Sequence, residues 1–135
     1  MMEFHHIGYM VADMDAARDE FTALGFRQDG AEVHDALREV RIAFMRMGGV
    51  LIELVCPASP GSPVAPLQKK LKNAPYHMCF RADDLESAQR ELFARGYVPV
   101  RPPEPAAAFD GARVAFYMHG GIGMVEVLEK SLIKT

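Results

Sequence analysis

Residues 6–26 of this chain lie over residues 77–97 at a constant offset of 71, with no gap. Six of the paired residues are identical: His6/His77, Asp13/Asp84, Ala17/Ala88, Glu20/Glu91, Ala23/Ala94 and Gly25/Gly96. Further on, Arg41-Ile42-Ala43-Phe44 returns as Arg113-Val114-Ala115-Phe116 at an offset of 72. Ile52-Glu53-Leu54 returns as Val125-Glu126-Val127 at an offset of 73. The chain is therefore an internal duplication. A unit of this size cannot bury a sheet face alone, so the two copies must complete each other. Each copy also brings one histidine and one glutamate, both inside apolar runs.

Each copy reads as a strand, a helix and then three strands. His6 to Val11 predicts a strand in which His6, Gly8 and Met10 share one face. Asp13 predicts an N-cap, Met14, Ala17, Phe21 and Leu24 a buried stripe, and Gly25 a left-handed stop. The second copy repeats this with Asp84, then Leu85, Ala88 and Leu92, then Gly96. Short strands follow from Phe26 and over 97–100. Val40 to Met47 and Val50 to Val55 predict a hairpin turning at Gly48-Gly49, with a counterpart from Arg113 to Leu128 around Gly120-Gly121. The predicted organisation is a single domain over 1–135: module one over 1–57, a linker over 58–75 holding a short helix around 64–71, and module two over 76–130. The proline-rich stretch from Arg101 to Gly111 predicts an irregular loop. The fold class is α+β, with tandem βαβββ modules forming a curved mixed sheet around a metal-binding cleft.

Composition narrows the partners. Half of the 135 residues are apolar and the formal charge is -3, so a core is affordable and nothing draws the chain to nucleic acid. No run is long enough to cross a bilayer and no secretory segment leads the chain, which makes a cytoplasmic location the expectation. Lys69, Lys70 and Lys72 form one short basic cluster, suited to a solvated helix face or to a phosphate-bearing ligand. Cys56 and Cys79 sit in apolar runs and read as buried free thiols.

Strand phase locates a site. Glu53 alternates with Leu51 and Val55, while Ile52 and Leu54 face the other layer. A carboxylate in such a run is costly to bury unless it is paired or coordinates a metal, and the same holds for Glu126. His6, Glu53, His77 and Glu126 therefore form a ligand set for one divalent ion. Imidazole nitrogen and carboxylate oxygen suit Co, Mn, Zn, Ni or Fe(II) alike. His5 has the opposite phase, and His34 and His119 have no repeated counterpart. Arg41 and Arg113 recur, and a guanidinium there suits a substrate carboxylate as well as a surface ion pair. Asp35, Glu39 and Asp110 are further acids to place.

These segments resemble the vicinal oxygen chelate superfamily, which includes glyoxalase I, extradiol dioxygenases and the fosfomycin and bleomycin resistance proteins. The resemblance runs from Phe4 to Glu129 and implies ligands at His6, Glu53, His77 and Glu126. Ile52-Glu53-Leu54-Val55-Cys56-Pro57, the segment from Ser62 to Lys69, and Tyr76-His77-Met78 are most similar to methylmalonyl-CoA epimerases. That likeness implies a metal-dependent epimerase or isomerase acting through an enediolate on a 2-substituted acyl-CoA. Glu126 would be the ligand that also shuttles the proton, and Arg41 falls at the position where some epimerases of the family carry a second carboxylate. The same chemistry would serve a glyoxalase-like lyase on a hemithioacetal, and the same fold a small-molecule binding protein without turnover. A homodimer is the expected assembly, since modules of this shape pair or exchange between chains.

Overall fold

The computed structural model describes residues 2–130; Met1 and residues 131–135 of the predicted domain lie outside the described residues. The elements run in chain order as β1 (Met2–Met10), α1 (Met14–Leu24), β2 (Arg27–Gln28), β3 (Val33–Asp35), β4 (Val40–Met47), β5 (Val50–Pro57), α2 (Ala65–Leu71), β6 (Ala74–Ala82), α3 (Leu85–Ala94), β7 (Val98–Pro105), β8 (Arg113–His119) and β9 (Gly123–Glu129). The fold is α+β. Two compact units contain them: one spans His6–Tyr76, and the other joins the residues from His77 onward to those up to His5.

In the first unit the strand order is β2-β4-β5-β1, with β3 also paired to β4. β1 and β5 run parallel and the rest antiparallel, so the sheet is mixed. The two-residue turn at Gly48-Gly49 sets Met47 opposite Val50 and carries that register to Phe44 opposite Glu53. Asp13 caps α1 by accepting from the Ala16 amide at 3.0 Å, and Gly25, at φ 112°, ends it. One sheet face packs against α1 through Ala43, Met45, Ile52, Leu54 and Cys56, meeting Val11, Met14, Ala17 and Phe21. The predicted stripe frays at its end, because Leu24 is 71% exposed in the last turn. β3 is a strand that the sequence pattern does not announce. It is three residues long, too short for an alternating pattern to register.

The second unit has the order β6-β9-β8-β7, again with one parallel pair and two antiparallel ones. Asp84 caps α3 at the Ser87 amide. Leu85, Ala88 and Leu92 then bury against Ala115, Tyr117, Val125 and Val127. Each of those leucines contributes roughly 1.5–3 kcal/mol of transfer free energy. The predicted loop from Arg101 is corrected: Arg101–Pro105 continues β7, with register shifts against β8, and Ala107–Phe109 makes a single 3₁₀ turn. Proline has no amide to donate, yet an edge strand needs donors on one side only. β7 occupies the outer end of this order, which is why a sequence with four prolines can still pair there.

Both units bolt the helix to the sheet with an arginine. Arg41 donates Nε to Glu32 at 2.6 Å and Nη2 at 3.0 Å, and Arg18 at the middle of α1 holds the same glutamate at 2.7 Å. Arg113 likewise donates to Glu129 at 2.9 and 2.6 Å and reaches Glu86 of α3 at 3.0 Å. These hydrogen bonds hold the Glu32 and Glu129 carboxyls below the usual carboxylate range, and the arginines correspondingly above theirs. A carboxylate with a lowered folded pKa adds stability that is complete above its unfolded value of 4.5 and is lost as pH falls through the folded value. Arg113→Met should therefore flatten the acid side of the stability profile. Urea midpoints measured from about pH 7 down to about pH 3 should fall less steeply in the variant than in the parent. Parallel curves would show that the clamp contributes nothing to folding.

Candidate functional site

The strands carrying histidine and glutamate are built alike in the two units. In the first, parallel register sets Gly8 beside Glu53, and antiparallel register sets Phe44 on its other side. In the second, Cys79 and Phe116 flank Glu126 in the same way. Each histidine lies two residues before the flanking residue and so shares its face. His6 Nε2 stands 3.5 Å from Glu53 Oε1, and His77 Nε2 stands 3.1 Å from Glu126 Oε1. All four side chains are buried. The structure thus pairs His6 with Glu53 and His77 with Glu126.

These separations can be tested against a metal. Donors held about 2.1 Å from one tetrahedral or octahedral ion stand roughly 3.0–3.4 Å apart. Both pairs match that edge length within a few tenths of an ångström, and both offer one imidazole nitrogen and one carboxylate oxygen. Taken by itself, each pair has donors that fit a divalent cation.

Two residues around the site are absent from the predicted set. The Phe44 ring meets the His6 ring edge-on at 5.8 Å, and Phe116 meets His77 at 5.3 Å. An aromatic edge there restricts imidazole rotation and limits access of water to the pair. The signal was in the duplicated Arg-x-x-Phe: three positions from the arginine along a strand is the opposite face.

The same phase corrects Arg41. It pairs across the hairpin with Cys56, so it stands on the helix face, opposite to Glu53. Its guanidinium is occupied by Glu32, with Asp15 at 3.8 Å. The reading of Arg41 as a catalytic or substrate-binding group, or as the position of a second site acid, does not survive that placement. The β4 side chains that do share the Glu53 face are Val40, Ile42, Phe44 and Arg46. On β8 the corresponding residues are Val114, Phe116 and Met118, sharing the Glu126 face.

The remaining candidates are engaged elsewhere. Asp35 is buried and accepts from the Arg38 amide and guanidinium, at 3.1 and 2.9 Å, which closes the turn after β3. Asp110 ends the 3₁₀ turn at φ 55°, and Glu39 has φ 53° in the turn before β4. His5 packs edge-on against Phe109, and His34 is exposed on β3. His119 lies tilted against the Tyr97 ring and accepts at Nδ1 from the Gly121 amide. Cys56 is a buried free thiol whose pKa burial pushes up, and Cys79 is fully buried. Lys69 and Lys70 occupy the last turn of α2, where positive charge complements the helix dipole.

Comparison with known proteins places this arrangement. Residues 5–116 match the family model described as the glyoxalase/bleomycin resistance protein/dioxygenase superfamily. A curated relative, the ethylmalonyl-CoA/methylmalonyl-CoA epimerase of Cereibacter sphaeroides, is 26% identical over 113 residues, which is 83% of this chain and 84% of the relative. A hypothetical protein from Bacillus halodurans superposes with a TM-score of 0.83 at 27% identity, covering 99% of this chain and 98% of that one. A methylmalonyl-CoA epimerase of Streptomyces coelicolor, in complex with 2-nitronate-propionyl-CoA, superposes with a TM-score of 0.82 at 20% identity and covers 100% and 99%. At that identity the likeness speaks for the fold.

A buried His–Glu pair kept for its donors should be a liability to the metal-free chain. Replacing His77 and Glu126 together by leucine is therefore expected to stabilise chelator-treated protein, by about 1 kcal/mol or more on the precedent of buried polar pairs. A marked loss of stability in urea would instead make the pair a structural element.

Proposed function

The chain belongs to the glyoxalase/bleomycin resistance protein/dioxygenase superfamily, and we propose that within it the protein is a divalent-metal-dependent epimerase of a 2-substituted acyl-CoA such as methylmalonyl-CoA. The observation that carries this reading is the repeated, buried His–Glu pair at donor spacing, once per module. The relative from Cereibacter sphaeroides supports the substrate class. In this proposal His6, Glu53, His77 and Glu126 together hold one ion of Co, Mn, Zn, Ni or Fe(II). When bound, the ion supplies positive charge against the oxyanion that develops as the α-proton leaves.

The protein's own part is to hold and move that proton. Removal from the α-carbon leaves an enediolate, and return to the opposite side of the carbon inverts the centre. Glu126 is the proposed proton carrier: its carboxylate lies among apolar neighbours, where a proton acceptor is not quenched by water. Phe44 and Phe116 keep the imidazoles oriented. Inversion requires a second group on the other side of the carbon. β4 and β8 carry no further carboxylate on the faces of Glu53 and Glu126, and Glu53 is the group proposed for that role.

That same scarcity of acids favours a second reading. Isomerising a hemithioacetal moves a proton between neighbouring carbons on one side, so a single carboxylate suffices. A glyoxalase-like lyase is the alternative, and its product is an S-2-hydroxyacyl thioester.

Two measurements decide between these outcomes. Elemental analysis should give one divalent ion per chain, with Glu53→Ala and His77→Ala each lowering metal affinity by an order of magnitude or more; unchanged content in either would defeat the four-ligand set. Methylmalonyl-CoA incubated with the metal-loaded protein in deuterium oxide should exchange its α-proton, and Glu126→Gln should slow this by about 10²–10⁴-fold. Exchange absent with every divalent metal, alongside thioester formation from a hemithioacetal, would transfer the assignment to the lyase. Absence of both reactions would leave a binding protein.

A further inference from the structure

At one pair of positions on the ligand face the duplication exchanges two arginines for two apolar residues. Arg27 on β2 lies directly opposite Arg46 on β4. At the corresponding place in the second module, offset by 71 and 72, Val98 lies directly opposite Met118. Directly opposed residues of an antiparallel pair project to the same face, and like charges opposed in this way are destabilising. Arg46 follows Phe44 by two along β4, so it shares the Glu53 face. It is the diagonal neighbour of Glu53, at a Cα separation of about 7–8 Å that a long side chain can span.

The charge there is only partly answered. Asp29 accepts from Arg46 Nε at 2.8 Å. Among the described residues, the terminal nitrogens of Arg46 and the whole Arg27 guanidinium make no other ion pair or side-chain hydrogen bond. Two guanidinium groups against one carboxylate leave a net positive charge beside a buried ligand. Charged residues can guard an exposed sheet edge. Yet the module tolerates the apolar pair at this place: Val98 is 56% exposed and Met118 37%. The arginines are therefore a feature of module one and not a requirement of the fold.

We infer that Arg27 and Arg46 form an oxyanion subsite that anchors the substrate at module one, taking a carboxylate or phosphate oxygen of the acyl-CoA. Guanidinium groups suit either oxyanion through paired N–H donors. The inference rests on the proposed acyl-CoA substrate for its ligand, and it assigns the two arginines to positioning and specificity.

The test exchanges the arginines for the residues that module two carries, Arg27→Val and Arg46→Met, singly and together. Direct calorimetric binding to metal-loaded protein is measured with methylmalonyl-CoA, with propionyl-CoA, which lacks the carboxylate, and with methylmalonyl-pantetheine, which lacks the phosphates. The double variant should bind methylmalonyl-CoA at least tenfold more weakly, with unchanged metal content and a urea midpoint no lower than the parent's. If the subsite takes the carboxylate, propionyl-CoA affinity is the same in parent and variant. If it takes a phosphate, methylmalonyl-pantetheine affinity is the same in both. Equal affinities of parent and double variant for all three thioesters would overturn the subsite while leaving the acyl-CoA reading intact. Should the parent bind no thioester, the acyl-CoA reading falls. The arginines are then judged with malonate and inorganic pyrophosphate: binding lost in the double variant upholds an oxyanion subsite, and binding absent in the parent or retained in the variant overturns it.

Discussion

A carboxylate held inside a β-strand whose neighbours are apolar is the constraint around which this molecule is arranged. Glu53 sits between Ile52 and Leu54, and Glu126 between Val125 and Val127, all buried. Leaving such a group charged and unattended would cost several kcal/mol, far more than one helix cap or surface ion pair returns. Each module meets that cost with a histidine one strand away on the same face, backed by an aromatic edge. The strand period then dictates the rest. With glutamate and histidine on one face, Ile52, Leu54, Val125 and Val127 must turn to the other, and there they meet the helices.

The arginines of the repeated Arg-x-x-Phe show how the two faces divide the work. Arg41 and Arg113 serve the helix face, each binding a glutamate and reaching an acidic residue of the helix. Phe44 and Phe116, three residues on, serve the face that carries histidine and glutamate. A residue repeated in both copies is thus best explained by what both copies need, which is a docked helix and a held histidine. A residue that breaks the repeat, such as Arg46 against Met118, answers to something that only one copy does.

Much of this was legible before any coordinates. The duplication, the two repeated helices with their caps, the hairpin register and the phase of the buried histidines and glutamates all rest on periods that a sequence displays directly. The two-residue turn at Gly48-Gly49 even determines that Glu53 faces Phe44 and that Arg41 faces Cys56, so the displacement of Arg41 from the site could have been found by counting. The strand from Arg101 to Pro105 could not. Proline argues against a strand in general and is acceptable only at an edge, and which strand forms the edge is a property of the sheet order.

The sequence by itself determined two equivalent modules, each with one buried imidazole and one buried carboxylate on a common strand face. That follows from local periodicity and from the cost of burying charge, neither of which needs a partner strand to be known. Tertiary structure alone decided which arginine is spoken for, that β3 exists, and that Arg27 opposes Arg46. These depend on pairing between segments distant in the chain. Two residues can repel or clasp each other only once the register has set them side by side.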